Sequence, residues 1–357
     1  MLGPLIVLHE LGHYLVGRWF GVGAEAFSVG FGKEIAGYTD KRGTRWKLSL
    51  LPIGGYVQFK GDMNPASVPD PAAPAEPDAF QTKPLWQRAL IVAAGPVANV
   101  IIAVAIFSAF FMIFGKPVAS DPAEENFVVA FAEESPAREA GIQIDDRIVA
   151  VEGKEMESYR EVQQAIWLYP NRELDITVER DGQRITYPIT TRSEEMTDQF
   201  GNASTIGLIG VESRPTERNF EAVGPITAVG LAVRQCADMF DMMVTGIGQI
   251  LFGERSVKEL GGPITIAKVS GEQLSLGWLE FVSFAALISL NLAFINLLPI
   301  PALDGGHLAF YAVEAVRRKP ASPRSQELAF RTGMAIVLAL MLFVTIIDIA
   351  KLPIFGS

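Results

Sequence analysis

Four stretches of the 357-residue chain are apolar enough to suggest helices that cross a membrane. Uncharged runs occupy 89–115, 281–303 and 332–347, and a fourth stretch, 1–16, is apolar apart from a short polar motif. A membrane-spanning helix needs about 20 apolar residues. The pattern therefore predicts a multi-span α-helical membrane protein with about four transmembrane helices, which we assign to residues 1–20, 85–116, 281–306 and 332–352.

The first of these helices is shorter than a complete span. Only eight residues precede His9, whereas a full crossing takes about 20. Either the helix starts midway through the bilayer or the natural chain begins upstream of residue 1, and we favour the second alternative. A cleaved signal peptide is disfavoured, because His9, Glu10 and His13 occupy the place of its apolar core.

The segment between the first two spans is polar to mixed. Short segments at 27–33, 45–51 and 56–59 have the composition of β-strands, and we expect residues 21–64 to form a small membrane-associated β-region. The stretch 65–84 is rich in proline and predicts a loop.

Residues 120–214 alternate between short strand and helix patterns. Ser135 precedes a helical stretch that ends at Gly141, which is typical of a capped helix. Asp181-Gly182 separates two strand patterns and predicts a hairpin. The order predicts one inserted α+β domain. Residues 220–280 are helical with intermediate polarity, and we interpret them as interfacial helices.

Composition and charge agree with a part-membrane, part-soluble protein. The chain is 49% hydrophobic, with a mean hydropathy of +0.27, which is high for a soluble protein. Its net charge is −10, and residues 121–214 hold 20 Asp/Glu against 9 Lys/Arg. An acidic chain without basic blocks argues against nucleic acid as a partner. The single cysteine, Cys236, excludes an internal disulfide and a Cys-ligated zinc site.

The basic residues predict how the chain is oriented. Segment 17–88 carries nine Lys/Arg, and the connector 307–331 carries five. Because cytoplasmic loops are enriched in Lys and Arg, both should be cytoplasmic. The acidic domain at 120–214 should then lie on the other side of the membrane.

The first span carries the sequence His9-Glu10-Leu11-Gly12-His13. Residues four apart share a face of a helix, so the two imidazoles should lie side by side with Glu10 next to them. H-E-x-x-H supplies two zinc ligands and a carboxylate that can accept a proton from the attacking water. Because the chain has only three histidines, two of them at this spacing indicate a zinc site.

A catalytic zinc takes three protein ligands. Beside the other apolar runs, the candidates for the third are Asp304, His307 and Asp348. Asp304 follows a stretch that Pro299 and Pro301 should unwind, at the membrane depth expected for H-E-x-x-H. Asp304 is therefore favoured, His307 is a weaker candidate, and Asp348 should lie at the opposite face. In the second span, the segment 95–99 fits either close helix packing or a role in this site.

These motifs resemble a known family. H-E-L-G-H in the first span, A-G-P-x-x-N in the second and N-x-x-P-x-P-x-L-D-G-G in the third are similar to the site-2 protease family, whose bacterial members include the regulator-of-sigma-E protease. Within 120–214, S-P-A-x-x-A-G-I and D-R-I-x-x-V-x-G resemble a bacterial PDZ domain. Close proteobacterial members of the family often carry two tandem PDZ domains, whereas this chain has room for one.

The resemblance implies a zinc metalloendopeptidase that cuts single-span membrane proteins within or near their transmembrane segments. Such substrates include an anti-sigma factor already trimmed outside the membrane, or signal-peptide remnants, in regulated intramembrane proteolysis. It implies Zn²⁺ held by His9, His13 and Asp304, with Glu10 activating water. The positions implied to contact substrate are Asn296, Gly30, Phe31 and Gly32.

The resemblance also implies where the protein acts and what it meets. It predicts a multi-pass protein of the bacterial inner (plasma) membrane, in contact with the lipid bilayer. The PDZ-like domain is expected to be extracytoplasmic and to bind a peptide or a substrate ectodomain.

Two alternatives compete with a protease. A non-proteolytic membrane scaffold built on the PDZ-like domain would be expected to lack one or more zinc ligands, and all three candidates are present. A zinc transporter or zinc chaperone would be expected to show further His, Asp or Glu along a path through the membrane, and the apolar runs lack them.

Overall fold

The computed structural model describes residues 1–61, 76–119, 126–197, 203–213, 218–253, 255–257, 261–319 and 322–350. The chain divides into two compact units. The first comprises residues 1–109, 229–244 and 256–357, and the second comprises residues 110–228 and 245–255. Within the predicted Pro-rich loop, 65–75 lies outside the described residues, and a short 3-10 turn at Phe80–Thr82 follows.

Helices occur in both units. In chain order they are α1 (Leu2–Trp19), α2 (Leu85–Phe114), α3 (Pro136–Ala140), α4 (Tyr159–Trp167), α5 (Pro225–Leu251), α6 (Pro263–Leu276), α7 (Trp278–Leu297), α8 (Asp304–Arg317) and α9 (Pro323–Ala350), of which α3 and α4 lie in the second unit.

The strands include one long pair near the N-terminus and several short strands further along. They are β1 (Ala24–Thr39), β2 (Arg45–Phe59), β3 (Lys116–Ala119), β4 (Val128–Phe131), β5 (Arg147–Val151), β6 (Lys154–Glu155), β7 (Glu173–Arg180), β8 (Gln183–Thr190), β9 (Arg192–Thr197), β10 (Ala203–Leu208), β11 (Val211–Ser213) and β12 (Arg218–Glu221).

Among the described residues, three helices are long and apolar enough to cross a membrane: α2, α7 and residues Ser325–Ala350 of α9. With its sheets, the chain is thus a helical membrane protein with β-structured regions. The helix α1 forms where the first span was expected, but it is 18 residues long and is not one of these three. The membrane span predicted at residues 1–20 therefore stays a prediction.

The fourth predicted span begins earlier than expected. Helix α9 starts at Pro323 rather than near residue 332. Its first turns contain Gln, Glu, Leu and Arg, which favour a helix, but the charged residues among them hid this part of the helix from a search for apolar runs. The connector expected over 307–331 is likewise largely helical, since α8 extends to Arg317.

The N-terminal β-region is one bent hairpin of two long strands. The segments 45–51 and 56–59, expected as separate strands, join in β2, and β1 continues to Thr39. Residues 26–29 of β1 lie between two parts of β2 and pair with 45–48 on one side and with 55–58 on the other, so that Val29 pairs with both Gly55 and Leu48. The bend follows at Gly30 and Gly32, whose φ angles of +92° and +89° are ones that glycine adopts without strain.

A buried cluster packs the hairpin onto the helices of the first unit. Its largest members are aromatic: the Phe27 ring stacks on Trp46 with centroids 4.5 Å apart, and Tyr14 contacts both rings edge-on. Burying a side chain such as Phe27 contributes about 1.5–3 kcal/mol. The cluster includes Tyr14, Val22, Ala24, Phe27, Val57, Phe59, Phe80, Ile91 and Val92, with Leu308 and Tyr311 of α8 packed against it. It thereby joins α1, α2, α8 and the hairpin.

The chain leaves helical geometry between α7 and α8, as its two prolines predict. Helix α7 ends at Leu297 and α8 begins at Asp304. In between, Ala302 has a φ of +85°, which is uncommon for a residue with a side chain. The break places Asp304 in the first turn of a new helix.

The second unit contains a four-stranded antiparallel sheet in the order β6-β5-β7-β8. Helix α3 is capped by Ser135 and closed by Gly141 in the left-handed conformation, as expected. Asp181 and Gly182 both have positive φ at the β7–β8 turn, as a two-residue hairpin requires. The short strands β9 to β12 were not foreseen. The PDZ-like assignment and the proposed domain boundaries stay predictions.

Candidate metal centre

Three side chains from two distant parts of the chain converge in the first unit. His9 and His13 lie on one face of α1, with their Nε2 atoms 3.2 Å apart. Asp304 Oδ2 lies 3.1 Å from His9 Nε2 and 3.4 Å from His13 Nε2. These three residues form a group that could hold a metal ion.

A backbone carbonyl orients His13. The Nδ1–H of His13 donates to the Ile91 carbonyl oxygen on α2, at 2.9 Å. A neutral imidazole that donates from Nδ1 keeps an unprotonated lone pair on Nε2. That lone pair points toward His9 and Asp304.

Asn99 contacts His9 at Nδ1, the ring nitrogen that is not directed at His13 and Asp304. Its side-chain nitrogen lies 3.2 Å from His9 Nδ1, while its Oδ1 is buried without a hydrogen-bond partner among the described residues. The two ends of an amide have nearly the same shape. Turning the Asn99 amide over would let Oδ1 accept from Nδ1–H, which leaves His9 Nε2 free to bind a metal.

The glycine of A-G-P-x-x-N allows α2 to approach the histidines. A Cβ on Gly95 would overlap the His13 imidazole and lie 2.8 Å from His9 Cε1. A Cβ on Gly12 would in turn collide with the backbone of Ala94. Both interpretations offered for segment 95–99 therefore apply, because close helix packing is what brings Asn99 to the site.

Asp304 reaches the histidines because α8 begins against the preceding turn. A Cβ on Gly305 would overlap the carbonyl groups of residues 297 and 298, and one on Gly306 would overlap the Ile300 carbonyl. The two glycines allow this close approach. The carboxylate oxygen Oδ2 of Asp304 is buried and has no hydrogen-bond partner in the described part of the chain.

Glu10 lines the same cavity as the three converging side chains. Val57 of β2 also lines this cavity. A Cβ on Gly55 would lie 3.4 Å from Glu10 Cγ, so the strand passes directly beside this side chain. A carboxylate next to a metal-ligand cluster can serve as a general base.

Of the other residues predicted for the site, some line the cavity and others lie behind its wall. Asn296 and His307 both line the cavity, and the Asn296 side chain donates to the Leu292 carbonyl at 3.0 Å. Phe31, between Gly30 and Gly32, does not line the cavity but stacks on Tyr56, which does, at 6.1 Å between ring centres.

Asp348 belongs elsewhere, as its predicted depth indicated. Its buried carboxylate accepts hydrogen bonds from the backbone amides of Gly262, Ile264 and Thr265, at 3.0–3.1 Å, and from the Thr265 hydroxyl. It therefore caps the N-terminus of α6 from α9.

Sequence patterns missed two groups that support the site. The Ile91 carbonyl orients His13, and the Ser289 hydroxyl of α7 donates to the Asn99 carbonyl at 2.9 Å in a buried position. Backbone carbonyls carry no residue signature, and serine in an apolar helix commonly bonds within its own helix. No pattern in the chain marked either one.

The geometry of the three ligand atoms suits zinc. Atoms at zinc–ligand distance on a tetrahedron lie about 3.3–3.5 Å apart, and the three pairs here are separated by 3.1–3.4 Å. Two imidazoles and one carboxylate form a ligand set found in catalytic zinc sites, which keep the fourth position open. Among the described residues, the buried Oδ2 of Asp304 has no hydrogen-bond partner, which is the environment of a metal ligand.

Comparison with known proteins also indicates a zinc metalloprotease. The model of peptidase family M50 matches residues 1–340. A relative from Agrobacterium fabrum is 42% identical over 360 residues, covering 99% of this chain and 94% of its own. One from Rhizobium meliloti is 42% identical over 358 residues, covering 98% and 94%. Both are provisionally named zinc metalloproteases.

A third relative is named metalloprotease MmpA, from Caulobacter vibrioides. It is 34% identical over 384 residues, covering 99% of this chain and 95% of its own. The match to the family model, the zinc-metalloprotease names of the relatives and the three apolar helices agree with the motifs. The chain therefore belongs to peptidase family M50, the site-2 protease family, and is a zinc metalloprotease of the membrane.

Proposed function

We propose that this chain hydrolyses peptide bonds within or near the transmembrane segments of single-span membrane proteins. In this proposal His9, His13 and Asp304 hold the zinc ion, and Glu10 is the general base. The observation that carries it is the convergence of three ligand atoms within 3.4 Å of one another, with Glu10 in the same cavity. The elements that supply them adjoin helices apolar enough to cross a membrane.

Each side chain has a separate task in this reaction. Zinc, when bound, acts as a Lewis acid toward the scissile carbonyl and favours deprotonation of the attacking water. The Glu10 carboxylate accepts a proton from that water and later delivers it to the leaving amine. Asn99 and the Ile91 carbonyl hold the two imidazoles in the orientation that exposes Nε2.

An edge of the hairpin supports a way to hold the substrate. Within the described residues, the segment 55–59 of β2 pairs with β1 on one side, and Gly55, Tyr56 and Val57 line the cavity. A substrate helix hides its peptide bonds in internal hydrogen bonds, so it must unwind to be cut. An unwound segment could then add to this edge as a further strand.

The predicted substrate residues have roles that fit this arrangement. Gly30 and Gly32 bend β1, and Phe31 supports the Tyr56 ring that faces the cavity. Asn296 lies in the cavity wall, where it could contact the substrate segment.

The wider setting also belongs to this proposal. The protein would act in a bacterial inner membrane, with the hairpin on the cytoplasmic side and the PDZ-like domain outside. That domain would bind a peptide or a trimmed ectodomain and restrict which substrates enter. An anti-sigma factor already cut outside the membrane, or a signal-peptide remnant, has the required form.

Replacing the base separates proteolysis from metal binding. Glu10→Gln should keep zinc and lower cleavage of a single-span reporter by at least about 100-fold. Glu25→Gln, on the first strand of the hairpin, is the matched control and should cleave normally. Zinc content and cleavage would be measured on the full chain in lipid vesicles. Cleavage by Glu10→Gln at the wild-type rate would exclude Glu10 as the base, and a wild type that binds zinc without cleaving would favour a non-proteolytic role.

A further inference from the structure

A nearly buried ion pair lies outside the proposed chemistry. A terminal guanidinium nitrogen of Arg88 donates to Glu314 Oε1 at 2.7 Å, and the two side chains are 14% and 16% exposed. The guanidinium also lies 5.0 Å from the centre of the Tyr311 ring, and its Nε–H donates to the Lys83 carbonyl at 3.2 Å. Removing one partner from such a pair costs far more than breaking a surface pair, because the other charge is left desolvated.

Each partner lies on an element that supplies part of the metal centre. Arg88 is on α2, three residues before Ile91, whose carbonyl orients His13. Glu314 is on α8, and the first residue of that helix is Asp304. Ten residues of helix, about 15 Å, separate the ion pair from the zinc-binding carboxylate.

The start of α8 is packed against the preceding turn at Gly305 and Gly306, but that packing acts at the first turn and not further along the helix. The chain enters α8 from α7 through the non-helical segment 298–303. Leu308 and Tyr311 pack against the aromatic cluster, but apolar contacts are non-directional and tolerate small shifts. A charge-assisted hydrogen bond defines a distance and a direction, so Arg88 and Glu314 can fix where α8 lies against α2.

We propose that the Arg88–Glu314 pair positions Asp304 against His9 and His13 and thereby sets the zinc affinity of the centre. Arg88 and Glu314 are positioning residues that touch neither metal nor substrate. The proposal rests on the metal centre assigned under the proposed function. Without the pair, α8 can shift while the two histidines stay in place, and the centre loses its third ligand first.

The test is metal affinity in the full chain purified in detergent and stripped by a chelator. Titration with Co²⁺, followed by its visible absorption, reports both affinity and ligand geometry. Glu314→Gln and Arg88→Gln should each weaken binding by about 10-fold, the lower end of the effect of supporting residues on metal sites. The exchanged pair R88E/E314R should recover part of that loss.

Controls separate positioning from general stability. Glu327→Gln breaks the exposed Arg331–Glu327 pair on α9 and should leave Co²⁺ binding unchanged. Arg88→Lys keeps the charge and the fold with a weaker contact, and should show a smaller loss in the same direction. Wild-type Co²⁺ affinity and spectrum in both Arg88→Lys and Glu314→Gln would overturn the proposal, even if their melting temperatures fell. A wild type that binds no metal would instead overturn the metal centre itself.

Discussion

At the scale of single residues, the proposed zinc ligands His9 and His13 each have a neighbour that fixes the orientation of the imidazole. His13 is held by a backbone carbonyl and His9 by an amide side chain. Such partners raise the basicity of the ligand and fix the ring position. Of the two, only Asn99 can be removed by substitution.

Asn99→Ala should weaken zinc binding by about 10- to 100-fold, since His9 loses the partner of its Nδ1. Zinc retained during dialysis against a graded series of chelator concentrations measures the effect. Ser108→Ala is the control, because Ser108 lies on the same helix and its hydroxyl donates to the Val104 carbonyl one turn earlier. Equal zinc retention in both variants would show that Asn99 does not support His9.

Gly95→Ala tests the close approach of α2 to the histidines. The new methyl group would overlap the His13 ring, and overpacking of this kind costs about 1–3 kcal/mol. We expect a lower melting temperature and loss of zinc. Gly230→Ala, with open space around the new carbon, should keep zinc and lose no stability. If Gly95→Ala retained wild-type zinc content, the contact with the imidazoles would not constrain the site.

At the scale of elements, the turn of the hairpin depends on one carboxylate. Asp40 accepts hydrogen bonds from the Trp46 indole at 3.0 Å and from the backbone amides of Arg42 and Thr44. The Trp46 hydrogen bond, together with those amides, holds the pKa of the Asp40 carboxyl below its ordinary value. Ionised Asp40 thus favours the folded turn.

Because the pKa of Asp40 is lowered in the folded chain, the stability of the turn should fall as the pH becomes acidic. The stabilisation by Asp40 should be fully present above the ordinary pKa of about 4 and lost as the pH falls below it through the folded-state pKa. Trp46 fluorescence should therefore change in this acidic range. Asp40→Asn should remove that transition. A transition of wild-type size in Asp40→Asn would assign it to another group.

Several elements could be predicted from the sequence because their signals are local. The H-E-x-x-H spacing places two histidines on one helical face, and Pro299 with Pro301 stops α7. The continuous β2 was missed, because Gly54-Gly55 has the composition of a turn while the backbone there stays extended. The contacts around the site were missed as well, since they join residues 78 to 226 positions apart and no local pattern encodes them.

At the scale of the whole molecule, the apolar helices and the distribution of Lys and Arg predict how the chain crosses the membrane. Cytoplasmic placement of the hairpin and extracytoplasmic placement of the acidic domain follow from the positive-inside rule. Under the proposed function, that predicted orientation would decide which end of a substrate segment meets the metal centre.

Labelling of single cysteines tests this orientation. Cys236, the native cysteine, is replaced by serine, and a cysteine is introduced by Lys41→Cys in the hairpin turn or Asp181→Cys in the β7–β8 turn. An impermeant maleimide added to intact cells should label the second position and not the first. Labelling of both positions from the same side would contradict the predicted topology.

The metal centre itself is tested most directly by zinc anomalous scattering from crystals of the zinc-loaded chain. The anomalous map should show one peak bonded to His9 Nε2, His13 Nε2 and an oxygen of Asp304, at about 2.0–2.2 Å. A peak held by His307 in place of Asp304, or one away from the two histidines, would contradict it.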